Sequence, residues 1–322
     1  MNWKVKALIQ NCIAVFPKNL SYEMYFQMQR YFGGLKKPFN PLGHFSNGIG
    51  IIKKIQQHDR NFIGKTFFEV GTGRVPLLPV AFWLGGAGKI ITVDLNPYMR
   101  NELVKDMLFF IKNRESEIRD IFGTLLKEDR FSLLLNYSRK NKVHKQDVLE
   151  LCQIEYLAPA DAAKTNLPEK SIQYHISHAV YEHIPLLVIQ NILEEGNRII
   201  SEGGLFINTI DYGDHFSYMD KNISVINFLQ YNNKEWEKYA GNSYMYMNRA
   251  RHDDFVELFA NVGHDFLEIE PHVNKEAEDI LRNNKITLDT RFKDKNIEIL
   301  SITGSLFITK KKDENGNKKN DI

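Results

Sequence analysis

The segment Phe67–Arg100, FFEVGTGRVPLLPVAFWLGGAGKIITVDLNPYMR, constrains the fold more than any other stretch of this chain. Phe67, Phe68 and Val70 favour an extended backbone, and Gly71-Thr72-Gly73 breaks the run. Glycine at such a break admits left-handed φ values and lets a ligand approach the main chain closely. A helix is expected from about Val75, with Pro76 in its first turn, where a missing N–H costs nothing. Ile90-Ile91-Thr92-Val93 then reads as a second strand that delivers Asp94 at its carboxyl end, where open α/β sheets place their ligands. Strand, glycine turn, helix, strand and acid in this order build a nucleotide-sized pocket.

Bulk properties narrow the class. The 322 residues are 43% hydrophobic and 25% charged, which suits a globular protein with a sizeable core. A formal net charge of +2 provides no electrostatic drive toward nucleic acid, which is not expected as a partner. Cys12 and Cys152 are the only cysteines, so neither a disulfide framework nor a CxxC metal motif can form, as expected for a cytoplasmic protein. The first twenty residues are basic and then partly apolar, with Gln10 and Asn11 interrupting the run. That is too short to span a bilayer. It is expected to pack on the domain as an amphipathic segment, with weak membrane-surface contact as the alternative.

Residues 1–60 read as a helical extension, with a loop over 36–48 and a helix over roughly 49–58. Tyr22, Tyr25, Phe26, Tyr31 and Phe32 fall near helical spacing, which predicts core packing; a lid is the other reading. Residues 61–311 form the main domain, with insertions at about 113–148 and 211–251. Downstream strands are expected before Asp161 and over 171–180, 205–211 and 266–273, with a last one near Ser305–Lys311. Helices separate them at 186–200 and 252–263. This alternation predicts a doubly wound parallel sheet. The polar tail, 312–322, is expected to be disordered.

Two ligand classes use this opening. Dinucleotide-binding domains need GxGxxG, with the third glycine for helix–strand contact and the helix N-terminus for pyrophosphate. Here the hexapeptide is GTGRVP, and Pro76 replaces the third glycine and removes a donor amide. The other class fits at four separated points: Glu69-Val70-Gly71-Thr72-Gly73; Asp94; Ala160-Asp161-Ala162 followed by Leu167-Pro168; and Val180-Tyr181-Glu182-His183-Ile184. In these motifs, over about Phe62–Ile210, the chain resembles the class I S-adenosylmethionine-dependent methyltransferases. The resemblance implies a Rossmann-like seven-stranded sheet with S-adenosyl-L-methionine as cofactor. It implies a cofactor site drawn from Glu69, Gly71, Thr72, Gly73, Asp94, Leu95, Asp161, Ala162 and His178. Gly71 and Gly73 would face the methionine moiety and Asp94 the ribose diol, with Asp161, Ala162 and Leu95 around the adenine. The chain departs from the pattern at Gln173, where the family's strand often carries Asp. The region from Asp211 onward more loosely resembles a bacterial methyltransferase group linked to surface polysaccharides and secondary metabolites.

Methyl transfer to a hydroxyl needs alignment, exclusion of water and removal of a proton. Histidine suits the last task. His178, His183 and His215 are candidates, and His215 leads because Asp211 and Asp214 lie beside it; the catalytic set is His215, His183 and Asp211. Glu182 and His183 offer two metal ligands without a clear third, so no metal is expected. Arg249 and Arg251 read either as a clamp for an anionic acceptor or as structural ion pairs. Trp236, Tyr244 and Tyr246 either line an acceptor pocket or form the insertion's own core. The expected function is O-methylation of a small molecule or saccharide. N-methylation of RNA or protein is the first alternative, though Ser177-His178-Ala179-Val180 lacks a (D/N)PPY-type motif. An inactive methyltransferase-fold scaffold is the second.

Overall fold

A computed structural model describes residues 1–37, 39–58, 60–140 and 142–312. All but Lys312 of the expected disordered tail lies outside the described residues. Seven strands form one sheet: β1 Thr66–Val70, β2 Lys89–Val93, β3 Ile154–Leu157, β4 Ile172–His178, β5 Ile200–Asp211, β6 His264–Val273 and β7 Ile302–Lys311. Their spatial order is β3-β2-β1-β4-β5-β7-β6. The pairs β1–β2, β1–β4 and β2–β3 are parallel, with Val70 beside both Val93 and Ser177. The expected doubly wound α/β sheet is therefore present. The order reverses between β1 and β4, which makes the carboxyl ends of these two strands the switch point where such sheets bind ligands. β7 lies between β5 and β6, unlike the dinucleotide-binding order 3-2-1-4-5-6.

Two compact units share the chain. One comprises Met1–Lys37, Ala179–Gln190 and Asn208–Ile308; the other holds the described residues from 39 to His178, Asn191–Ile207 and the end of β7. In the second unit β1 is buried throughout its apolar positions, and the helix Leu77–Gly85 is buried at every residue. Phe67 sits between the rings of Phe82 and Tyr174, each 4.9 Å away between centroids. A long helix, Leu42–Gln57, packs on Leu77–Gly85 and begins seven residues earlier than the sequence suggests. Gly43 and Gly48 read as loop because glycine is a poor helix former. Tertiary packing overrides that preference, since a Cβ at Gly48 would lie only 2.7 Å from the Cβ of Ala81.

In the first unit the helix Trp3–Ala14 is anchored on the aromatic region after β5. Trp3 is buried in a cluster with Phe216, Phe228, Trp236 and Phe292, and its N–H donates to Asp220 Oδ2 at 2.9 Å. This matches the expectation that the segment packs on the domain, while Val5, Leu8 and Val15 of the same segment are exposed. Of the aromatics in the second helix, Lys18–Phe32, only Phe26 reaches the core fully; Tyr31 and Phe32 are exposed, contrary to the uniform core packing expected. The helix's last turn simply runs past the surface it packs on. No helix among the described residues is long and apolar enough to cross a membrane.

Gly48→Ala tests the close helix contact. Overpacking costs about 1–3 kcal/mol, against a helix-propensity gain of about 1 kcal/mol. Gly48→Ala should therefore lower the melting temperature. Gly50→Ala, where an added Cβ meets nothing within 4 Å, should raise it slightly.

Candidate functional site

The carboxyl ends of β1 and β2 are tied together by side chains that sequence reading had singled out separately. Gly71 (φ 89°) and Gly73 (φ 69°) both occupy left-handed backbone, as the turn reading required. The Gly71 N–H donates to Val93 O at 2.8 Å, extending the pairing by one rung. Asp94 then holds the loop: the Gly73 N–H donates to its Oδ2 at 3.0 Å and the Asn96 N–H to its Oδ1 at 3.0 Å. A Cβ at Gly73 would meet no atom within 4 Å, so the space beside this loop is open.

Beneath the loop lies a buried carboxyl. Glu69 is 4% exposed, and Thr92 Oγ1 donates to its Oε2 at 2.5 Å, with Thr72 Oγ1 2.5 Å from Thr92 Oγ1. Burial pushes the Glu69 pKa up to about 8; the Thr92 hydrogen bond opposes this and the Asp94 charge adds to it. Burial also raises Asp94, against the amides of Asn96 and Gly73 and the charge of Arg74.

The remaining expected cofactor residues are placed less uniformly. Leu95 is 69% exposed and Ala162 is buried. Asp161 is exposed, and its Oδ1 accepts from the Ala163 N–H at 2.9 Å, folding the side chain onto its own turn. His178 ends β4, with its Nε2 2.9 Å from Asn47 Nδ2. Burial, assisted by His44, lowers its pKa to about 4, so it is neutral at physiological pH. Asn47 carried no motif in the sequence; only the packing of its helix brings it to His178.

A second constellation lies wholly in the other unit. Glu182 and His183 sit on a short turn whose shape is fixed by Asn248: its amide donates to Tyr181 O and Ile184 O, each at 2.8 Å, and its N–H to Glu182 O at 2.9 Å. His183 Nδ1 is 2.8 Å from Tyr246 O, and the His183 and His215 rings lie 4.8 Å apart at 66°. His215 Nε2 is 3.4 Å from Asp211 Oδ2, which also accepts from the Tyr218 hydroxyl, while Gly213 N–H donates to Oδ1 at 2.7 Å. The three expected catalytic residues, His215, His183 and Asp211, are thus brought together. Burial favours the protonated form of Asp211, but hydrogen bonds from His215, Tyr218 and Gly213 outweigh it and lower the pKa. His183 is lowered, first by desolvation and then by the charge of His215.

Glu182 was read in sequence as half of an incomplete ligand pair. It is 2% exposed, and burial raises its pKa to about 8, with the Asp211 charge adding. The fold supplies the missing third group: donor atoms of Glu182, His183 and His215 all lie within 4.8 Å of one another. Spacing alone had no means of pairing His215 with the turn at Glu182.

Arg249 and Arg251 are not a clamp. Arg251 is fully buried and donates to the carbonyls of Tyr212, Leu300 and Ile302, while Arg249 donates to those of Phe228 and Tyr231 and to Asn233 Oδ1. Three converging carbonyls satisfy the guanidinium and explain how Arg251 can stay inside the protein. Nor is Trp236 an acceptor wall, because it belongs to the core cluster around Trp3. Tyr244 stacks on Tyr25, with centroids 4.0 Å apart.

No protein-family model and no curated protein matches the sequence. Solved structures do resemble it. A protein from Pyrococcus horikoshii is 13% identical with a TM-score of 0.47, covering 89% of this chain and 99% of its own. An S-adenosylmethionine-dependent methyltransferase from Methanosarcina mazei is 12% identical with a TM-score of 0.44, covering 80% and 97%. Another from Mesorhizobium loti is 10% identical with a TM-score of 0.44, covering 82% and 99%. Likenesses this remote leave the activity to be argued from the chain's own residues.

The buried Glu69 makes a stability prediction. In the folded protein it keeps its proton up to about pH 8, whereas the unfolded chain releases it near the ordinary glutamate value of 4.5. The folded state therefore binds more protons across that interval, and stability falls as pH rises through it. Glu69→Gln removes this loss. Its melting temperature should exceed wild type at pH 8.5, by the equivalent of a few kcal/mol at most, and the two should converge near pH 4.

Proposed function

We propose that this protein transfers the methyl group of S-adenosyl-L-methionine to an oxygen of a small molecule or saccharide. The observation that carries the reading is the loop at the β1–β4 switch point. It has two left-handed glycines, open space beside Gly73, and an acid at the end of β2, yet Pro76 stands where a pyrophosphate site needs glycine. The residues present suit an uncharged ribose and a methionine moiety, which need close backbone approach and a carboxylate rather than a phosphate cradle.

S-adenosyl-L-methionine supplies an electrophilic methyl group when bound. Asp94 holds the ribose diol: each carboxylate oxygen already accepts one amide, and each has a second lone pair for a hydroxyl. Gly71, Thr72 and Gly73 admit the methionine end, and Glu69 braces the loop from below through Thr92. Asp161, Ala162, Leu95 and His178 complete the donor's surroundings in this reading. Proton removal falls to the cluster of Asp211, His183 and His215, with Asp211 orienting the His215 ring. The two free thiols, Cys12 and Cys152, support a cytoplasmic setting. The acceptor class rests on the absence of an amino-methylating motif after β4 and on the looser resemblance of the region after Asp211.

Isothermal titration with S-adenosylhomocysteine tests the donor site. Wild type should bind, and Asp94→Asn should weaken binding roughly 10- to 150-fold, as expected for charge-assisted hydrogen bonds worth about 1.5–3 kcal/mol. No binding by wild type at millimolar ligand sinks the proposal. For proton removal, His215→Ala should cut turnover about 10²–10⁴-fold at saturating donor while leaving donor affinity unchanged. Near-normal turnover would remove His215 from the mechanism.

A further inference from the structure

We infer that Glu182, His183 and His215 form a binding site for a divalent transition-metal ion. Three observations point to a missing cation. Both carboxylate oxygens of Glu182 are buried and have no hydrogen-bond partner; the backbone amides of Glu182 and Asp211 lie near but out of bonding geometry. A buried carboxyl whose oxygens lack partners is costly unless a proton or a cation meets it. His215 Nε2 is likewise buried, and its one close acidic neighbour, Asp211 Oδ2 at 3.4 Å, does not complete a hydrogen bond of good geometry. His183 Nδ1 faces Tyr246 O at 2.8 Å, and a carbonyl can only accept, so Nδ1 carries the proton and Nε2 keeps its lone pair. A histidine whose one nitrogen donates to a carbonyl is oriented to ligate through the other.

No Lys or Arg among the described residues lies within ion-pairing distance of Glu182 or Asp211. Arg251 is committed to the carbonyls of Tyr212, Leu300 and Ile302. Donors around a tetrahedral ion with bonds of about 2.1 Å stand about 3.4 Å apart. The three donor atoms, within 4.8 Å of one another, need only small side-chain rotations to reach that spacing. Asp211, held by Gly213 and Tyr218, stands beside His215 to orient the ring.

The donor set selects the ion class. Two imidazoles with one carboxylate suit Zn²⁺, Fe²⁺, Co²⁺ or Mn²⁺, whereas Mg²⁺ and Ca²⁺ prefer all-oxygen sites. His183 is exposed, which leaves a path for entry and an open coordination position, as at catalytic rather than structural sites. An acceptor hydroxyl placed there would lose its proton to solvent and keep the O–H electron pair for a new bond to the methyl carbon, while the S–CH3 bond of the donor breaks and its pair returns to sulfur, releasing S-adenosylhomocysteine. This last step rests on the methyl-transfer reading, and in it His215 serves as a ligand rather than as the base. The ion site itself does not depend on that reading.

Chelator-treated protein dialysed against Zn²⁺ or Co²⁺ should retain about one ion per chain by elemental analysis, and Mg²⁺ should not be retained. Glu182→Gln, His183→Ala and His215→Ala should each weaken retention at least about tenfold, while His272→Ala keeps it. Glu182→Gln keeps the shape of the buried carboxyl without an ionisable group, so it should fold about as stably as wild type without metal. Added Zn²⁺ should raise the melting temperature of wild type but not of that variant. Equal retention by wild type and the three variants, or no retention by wild type, overturns the site. Titrating S-adenosylhomocysteine into the same samples keeps the two readings apart, because donor binding can fail while the ion is retained, and the reverse.

Discussion

The parallel pairing of β1 with β2 on one side and β4 on the other is the constraint from which the donor site follows. With Val70 level with both Val93 and Ser177, three strands end at one height. Whatever follows each strand is delivered to the same place. After β1 comes a turn that only glycine occupies without strain; after β2 comes Asp94, whose carboxylate takes the Gly73 amide. The loop is thus shaped by the acid that is proposed to hold the ligand. Support and recognition use different lone pairs of one side chain.

Buried acids recur in both units, and they are handled differently. Glu69 is met by the Thr92 hydroxyl, which satisfies one of its carboxyl oxygens inside the protein. Glu182 has no such donor and lies close to Asp211, which is held ionised by its own hydrogen bonds. Equal degrees of burial therefore imply different chemistry. Glu69 is a brace, whereas Glu182 is proposed as a metal ligand. Arg251 shows the converse, a buried cation stabilised by backbone carbonyls rather than by a carboxylate.

The sequence made the cofactor loop legible because its signals are local. Alternating apolar runs, two glycines, a proline and a strand-terminal acid each act through neighbours in the chain, and each appears in the structure near its expected place. Where local preference and packing disagreed, packing prevailed. Gly43 and Gly48 suggested a loop, yet the helix Leu42–Gln57 forms through them because Gly48 allows contact with Ala81. Arg249 and Arg251 resembled an anion clamp because sequence shows charge but not which carbonyls a fold leaves unpaired.

By itself, then, the sequence determined the doubly wound sheet, the glycine loop with Asp94, and the candidacy of His183, His215 and Asp211. Only the tertiary structure decided that β7 enters between β5 and β6, that Asn47 meets His178, and that His215 stands beside Glu182 and His183. The physical reason is range. Turn chemistry and periodicity are written within a few residues, whereas a ligand set assembled from a turn after one strand and a loop after another exists only once packing has closed the distance between them.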